Sequence, residues 1–280
     1  MQQLSHSLTR PLAASLLVAW CALSGAQAQE PDKPKLDVIY VPTPQEVVDR
    51  MLDMAQVKAD DFVMDLGCGD GRNVITAAKM YGTRGFGVDI DPARIKEANE
   101  NAEKAGVKDK VEFRVQNLFD TKIGDASVLT MYLLSTINLK LRPRILDEMK
   151  PGSRIVSHAF DMGDWKPDQR DQVGYRNVYF WVVPAKVEGR WNVKTEEGRS
   201  YVLDLKQKFQ EVEGSASMDG KALSLREVTL RGADIRFVVD MGDGRSSTFT
   251  GRVDGDTMRA TPGQGTSGPE SGKGWQATRA

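Results

Sequence analysis

The segment Val63-Met64-Asp65-Leu66-Gly67-Cys68-Gly69-Asp70-Gly71-Arg72-Asn73 decides the fold. It opens on the end of an apolar run of strand type, Phe62 to Leu66, and closes on the start of a helical pattern that continues to Tyr81. Three glycines at alternate positions join the two. Without side chains the backbone there can turn sharply and let a ligand press against it, while a helix N-terminus turns its free N–H groups to the same point. A dinucleotide fingerprint needs its third glycine at position 72, where Arg72 stands, so the spacing fits a nucleoside ligand without a pyrophosphate. Gly85 to Ile90 reads as the next strand, and Asp89 near its end can accept both hydroxyls of a ribose.

Working outward, short apolar runs alternate with helical patterns from Tyr40 to about Pro184, the sign of a parallel sheet covered by helices. Thr43-Pro44-Gln45-Glu46 offers an N-cap Thr, a first-turn Pro and a capping-box Glu, so a helix is expected from Pro44 to about Ala55. Asp91-Pro92 caps another helix, which Gly106 ends. Further strands are expected at Val111–Val115, Ser127–Tyr132 and Arg154–Phe160, with a helix over Arg142–Met149. Val178–Val183 is expected as an antiparallel closing strand.

From about Lys186 the helical period disappears. Strands are expected at Tyr201–Leu205, Lys208–Val212, Ala222–Leu230, Ile235–Met241, Ser247–Val253 and Trp275–Thr278, separated by Gly-containing turns. This half predicts a small antiparallel all-β domain, as a meander, sandwich or barrel. Glu227 breaks the period-2 phase of its strand, as a bulge would. The expected domains are 29–185 and 186–280.

Residues 1–28 read as a secretory signal peptide: Arg10, an uncharged apolar stretch from Leu12 to Leu23, then Ala26-Gln27-Ala28. The stretch falls short of the roughly 20 apolar residues that span a bilayer. Cleavage would leave 37 basic against 39 acidic residues, one cysteine (Cys68) and one histidine (His158). That balance gives no nucleic-acid footprint, and those counts rule out an internal disulfide and a zinc site built from Cys and His. The expectation is a periplasmic protein with no membrane span in its mature chain.

VMDLGCGDGRN at 63–73 and GVDIDP at 87–92 resemble the class I S-adenosylmethionine-dependent methyltransferases, and the likeness of pattern covers residues 40–184. Within that superfamily, Tyr40-Val41-Pro42-Thr43-Pro44 and LKLRPRILDEMKPGSRIVSHAFDMGDW at 139–165 are similar to a bacterial group related to small mitochondrial protein-lysine methyltransferases. The resemblance implies a Rossmann-like domain with S-adenosyl-L-methionine as cofactor. It implies that Asp65, Gly67, Gly69 and Gly71 form the methionine-side wall and that Asp89 takes the ribose. Relatives often carry an acidic residue after the third strand for the adenine amino group; here Asn117 stands there, and its side-chain oxygen can accept the same hydrogen bond. Ile90 and Leu118 would flank the adenine, or simply pack in the core. Tyr40 lies where related chains fold over the cofactor, and a packed aromatic is its alternative.

The reacting end lies at the carboxyl ends of the later strands, at Tyr132 and at His158 to Asp161. No Asn-Pro-Pro-Tyr type of motif is present; Met131-Tyr132-Leu133-Leu134 stands in its place. Methyl transfer needs chiefly alignment and a neutral nucleophile, so His158 or Asp161 is a candidate for holding an amine proton without a base being required. The expected acceptor is a protein or small amine. Two other readings remain at this point: a binding protein for cofactor or nucleoside that does no chemistry, and an envelope module whose β domain is the working part.

Overall fold

Phe62–Leu66 (β1), Arg84–Asp89 (β2), Val111–Val115 (β3), Val128–Met131 (β4) and Arg154–His158 (β5) lie parallel, and Arg176–Val182 (β7) adds antiparallel to β5. Gln169–Val173 (β6) pairs with β7 at the edge, giving the order β3-β2-β1-β4-β5-β7-β6. The chain reverses direction across the sheet between β1 and β4, and the crevice of an open α/β sheet opens at the carboxyl ends of such strands. This computed structural model describes residues 40–242, 244–261 and 274–280, so the expected signal segment and most of Thr261–Gly274 lie outside the described residues.

Gln45–Met54 (α1), Arg72–Tyr81 (α2) and Pro92–Lys104 (α3) cover one face of the sheet. Val63, Val128, Val156 and Val178 meet the α1 side chains Val48, Met51 and Leu52 in one buried cluster. Adjacent residues on the same strands, Met64, Leu129 and Ile155, point to the other face. There they pack on Ile137, Leu141 and Ile145 of Ser135–Glu148 (α4), spaced four apart along one side of that helix.

Two expectations about helix ends need correction. Thr43 does not cap α1: the N-cap is Pro44 with no side-chain bond, because the Thr43 hydroxyl is drawn to His158 Nδ1 at 3.1 Å. The helix expected at Arg142 starts seven residues earlier, with Pro143 inside it. Pro143 is exposed, so the carbonyl it leaves without a donor can turn to water. Asn138 fixes the early turns by donating to the carbonyls of Phe160 (3.2 Å) and Asp161 (3.1 Å).

The second half is a closed antiparallel barrel of eight strands: Gly189–Thr195 (β8), Ser200–Lys208 (β9), Glu211–Met218 (β10), Lys221–Arg231 (β11), Asp234–Asp240 (β12), Ser246–Asp254 (β13), Thr257–Ala260 (β14) and Trp275–Arg279 (β15). Alternate residues point inward, and Phe237 stacks on Phe249 at 4.9 Å with Trp275 edge-on to both. The phase break at Glu227 is a register shift with φ +52° at that residue. The strand expected across Lys208–Val212 is instead two strands meeting at a tight turn, where Phe209 takes φ +57° without a glycine to announce it.

That turn reaches the sheet. Phe209 stacks on Trp165 with ring centroids 5.9 Å apart, Gln210 accepts from the Trp165 indole at 2.9 Å, and Gln210 Nε2 donates to the Lys166 carbonyl at 2.8 Å. Trp165 and Trp181 are fully buried beside α4, so the barrel hairpin covers the sheet face that α4 leaves open. From Tyr40 onward the described chain forms one compact unit.

Candidate functional site

The glycine turn takes the shape its spacing requires. Gly67, Gly69 and Gly71 have φ of +75°, +53° and +79°, a backbone region that side-chain-bearing residues rarely enter. Gly67 and Cys68 both donate to the Val88 carbonyl at 2.9 Å, tying the turn to β2. Asp89 holds it from the side: one carboxylate oxygen accepts from Gly69 N and the other from Asp91 N, both at 2.9 Å. Each oxygen keeps a free lone pair for a ligand hydroxyl.

Above this turn lies a cavity of about 570 Å³. It is lined by Tyr40, Asp65, Gly67, Asp89, Ile90, Asn117, Leu118 and Tyr132, which brings together eight of the residues singled out from sequence. Gly69 and Gly71 do not line it. A Cβ at Gly69 would fall 2.3 Å from the Tyr40 ring, and one at Gly71 would fall 2.7 Å from Phe113. Gly69 is thus the seat of Tyr40, and Gly71 allows close packing of the helix on the sheet. Tyr40 is held there from outside by the Arg94 guanidinium, 4.7 Å from its ring centroid.

Asp65 is buried beneath the cavity floor, accepting from Thr130 Oγ1 at 2.8 Å and Asn73 Nδ2 at 3.1 Å. Burial raises its carboxyl to about 7 despite both bonds. Asn73 Oδ1 is buried with no hydrogen-bond partner. A carboxylate short of a counter-charge beside an acceptor short of a donor is a fitting receptor for a cationic ammonium, the group carried by the methionine portion of S-adenosylmethionine. At the other end Asn117 spends its Oδ1 capping Phe119 N at 2.9 Å, so the oxygen expected to face an adenine amino group is already engaged in folding the short turn Leu118–Asp120. A second lone pair on that oxygen is what it has left to offer.

The reacting end divides differently from expectation. Tyr132 lines the cavity, with Phe160 beside it. His158 lies behind Tyr132, ring centroids 3.9 Å apart, and faces a second cavity of about 370 Å³. Burial and then the Arg176 charge lower its imidazole to about 4, so it is neutral at physiological pH and a poor proton holder. Asp161 lines neither cavity; its carboxylate accepts from Gly163 N at 3.1 Å and shapes the turn after β5. Thr43, Arg72 and Asn73 are cavity residues that the sequence pattern does not single out for the site, and Phe160 belongs to the His158 to Asp161 stretch expected at the reacting end. The Arg72-Asn73 pair stands in plain view at the opening of α2, whereas Thr43 has the spacing of a helix cap.

Comparison with known proteins bears on this crevice. The ANTKMT methyltransferase domain family matches residues 65–169. A protein-lysine N-methyltransferase of Saccharolobus islandicus (strain REY15A) is 46% identical over 151 residues, which are 52% of this chain and 94% of that one. The chain is a class I S-adenosylmethionine-dependent methyltransferase. The crystal structure of an RNA methyltransferase from Salinibacter ruber in complex with S-adenosyl-L-homocysteine agrees, at 50% identity and a TM-score of 0.52, covering 52% of this chain and 96% of that chain. The adenine nucleotide translocase lysine N-methyltransferase of Mus musculus is 28% identical over 48% of this chain and 58% of its own. Each of these likenesses spans about half of this methyltransferase.

Proposed function

We propose that this methyltransferase acts on a protein amine, a lysine side chain, in an exported compartment, and that the barrel helps to position the acceptor. The observation that carries the amine reading is the character of the reacting end: Tyr132 and Phe160 line it, with a neutral His158 behind Tyr132 and no Asn-Pro-Pro-Tyr type of motif for bases and amides. The lysine acceptor named for the Saccharolobus relative supports it.

Bound S-adenosylmethionine supplies a methyl group on a sulfonium. That methyl would pass to a neutral amine nitrogen with the carbon–sulfur electron pair left on sulfur, and the product's surplus proton would leave to solvent. Asp65 and Asn73 would hold the ammonium end of the cofactor, Asp89 the ribose, and Ile90 and Leu118 the adenine faces. Tyr132 stands at the junction and orients the incoming nitrogen. His158, tied to Thr43 and packed at a tilt against Tyr132, is a positioning residue for that phenol. Trapping the amine in its neutral form and in line is the contribution asked of the protein.

Export rests on the apolar run Leu12–Leu23 and Ala26-Gln27-Ala28, with the mature chain starting near Gln29. Incubating the protein with methyl-labelled cofactor and cell-envelope extract tests the function: label in methyl-lysine of a protein band is expected. Label that nuclease removes would instead establish an RNA acceptor. Binding without any transfer would favour a non-catalytic cofactor-binding protein, and absence of binding would leave the barrel as the working part of an envelope module.

A further inference from the structure

The second cavity shares three wall residues with the cofactor cavity, Val41, Pro42 and Tyr132, so the two adjoin beside Tyr132. Its inner wall is His158 and Ala159, and its mouth is Tyr175, Arg176 and Asn177, carried by the hairpin between β6 and β7. Tyr175 is 78% exposed, an uncommon position for an aromatic ring. The Arg176 guanidinium lies over that ring at 4.4 Å and donates to its hydroxyl at 3.0 Å. Ala159, at the foot of the cavity, has φ +64°, a strained conformation for a residue with a Cβ, held by the Ala159 N to Asn177 O bond at 2.8 Å.

Arg176 differs from the arginines around the cofactor. Arg72 is paired with Asp70 at 2.5 Å and Arg94 with Glu97 at 2.5 Å, whereas no carboxylate among the described residues pairs with Arg176. Its charge is felt at the inner wall, where it adds to burial in keeping His158 neutral. A fixed positive charge in a cavity that must admit an amine opposes the ammonium form, unless the acceptor brings its own negative charge.

We propose that this second cavity is the acceptor site and that Arg176 is a specificity residue, receiving a carboxylate that the acceptor carries beside its amine. The proposal rests on the protein-amine reading and narrows it. A guanidinium matches a carboxylate with two parallel N–H donors, and the ring of Tyr175 holds its plane at the mouth. The carboxylate belongs to an acidic residue next to the target lysine or to the α-carboxylate of a free amino acid. A phosphate backbone is the weaker match, because one cation on a chain of net charge −1 does not provide the row of contacts that nucleic acid draws on.

The test uses the full-length protein with three short peptides in which one lysine is flanked by Glu, Gln or Arg, together with free lysine and an RNA oligonucleotide. Wild type is expected to favour the Glu-flanked peptide over the Gln-flanked one by about tenfold in kcat/KM, chiefly through KM. Arg176→Gln should abolish that preference and Arg176→Glu should turn it toward the Arg-flanked peptide, both with unchanged S-adenosylmethionine affinity. Free lysine preferred over every peptide would assign the carboxylate to an amino acid. Equal use of all three peptides by wild type, or a Glu preference surviving in Arg176→Glu, overturns the Arg176 assignment and leaves the lysine reading standing. Transfer to RNA alone overturns both.

Discussion

Replacing Asp65 by Asn should make the ligand-free protein more stable at neutral pH while damaging its cofactor site. Asp65 is 2% exposed, and its carboxyl lies at about 7 against an ordinary value of 3.8. Between these values the folded protein keeps a proton that the unfolded chain has released, so the Asp65 contribution to stability falls as pH rises through the interval and is level above it. At about 1.4 kcal/mol per pH unit the loss reaches about 4 kcal/mol by pH 7. Asn carries no charge to bury and still presents an oxygen to Thr130, so Asp65→Asn lacks this slope. Urea midpoints of both proteins, measured without cofactor from pH 4 to pH 8, should coincide near pH 4 and diverge steadily to pH 7. S-Adenosylmethionine should reverse the order, since its ammonium loses an ion-pair partner in the variant: wild-type affinity rises from pH 5 to pH 7 with release of a proton, and the variant binds at least about tenfold more weakly. Parallel midpoint curves, or a variant less stable than wild type at pH 8, would refute the reasoning.

Other perturbations follow from the same geometry. Asp89→Ala removes the bonds to Gly69 N and Asp91 N as well as the ribose acceptors, so calorimetry should show about a 100-fold loss of cofactor affinity together with about 1–3 kcal/mol of stability. Gly69→Ala brings a Cβ against Tyr40 in a left-handed backbone; adding Tyr40→Ala should relieve the clash but leave the backbone cost of about 1–2 kcal/mol, read from thermal midpoints. His158→Gln should remove the imidazole's own contribution between pH 4 and 6.5, where only the unfolded chain takes up that proton as pH falls; this slope opposes that of Asp65, so the variant should gain stability more steeply than wild type as pH falls through the window. Residues 29–185 contain every residue lining the cofactor cavity yet lose Phe209 and Gln210 from Trp165, so this fragment should unfold at lower urea than the full chain and expose apolar surface to a dye.

What the sequence made legible was local. The run into Gly67, Gly69 and Gly71 reads directly because glycine suits the three alternate positive-φ sites between a strand and a helix, and Asp89 follows from its place at the end of the second strand. Alternation in β11 disclosed even the bulge at Glu227. Residues whose partners are distant in sequence were hidden. Thr43 has the look of a cap until His158, 115 positions on, takes its hydroxyl. Phe209–Gln210 carries no Gly or Pro to mark a turn, because the turn is secured by Trp165 rather than by its own backbone preference. The polar edge strand Gln169–Val173 lacks any apolar alternation, and β8 and β14 gain their identity from closure of the barrel. Asp161 followed the general rule for strand ends, but the turn after β5 directs its carboxylate to Gly163.

The most direct test of the central claim is a crystal structure of the protein with S-adenosyl-L-homocysteine. The ligand is expected in the cavity above the glycine turn, with its ammonium within hydrogen-bond distance of Asp65 or Asn73 Oδ1, both ribose hydroxyls on Asp89, and its sulfur directed toward Tyr132. A ligand bound elsewhere, or bound with its ammonium away from Asp65 and Asn73, would contradict that claim.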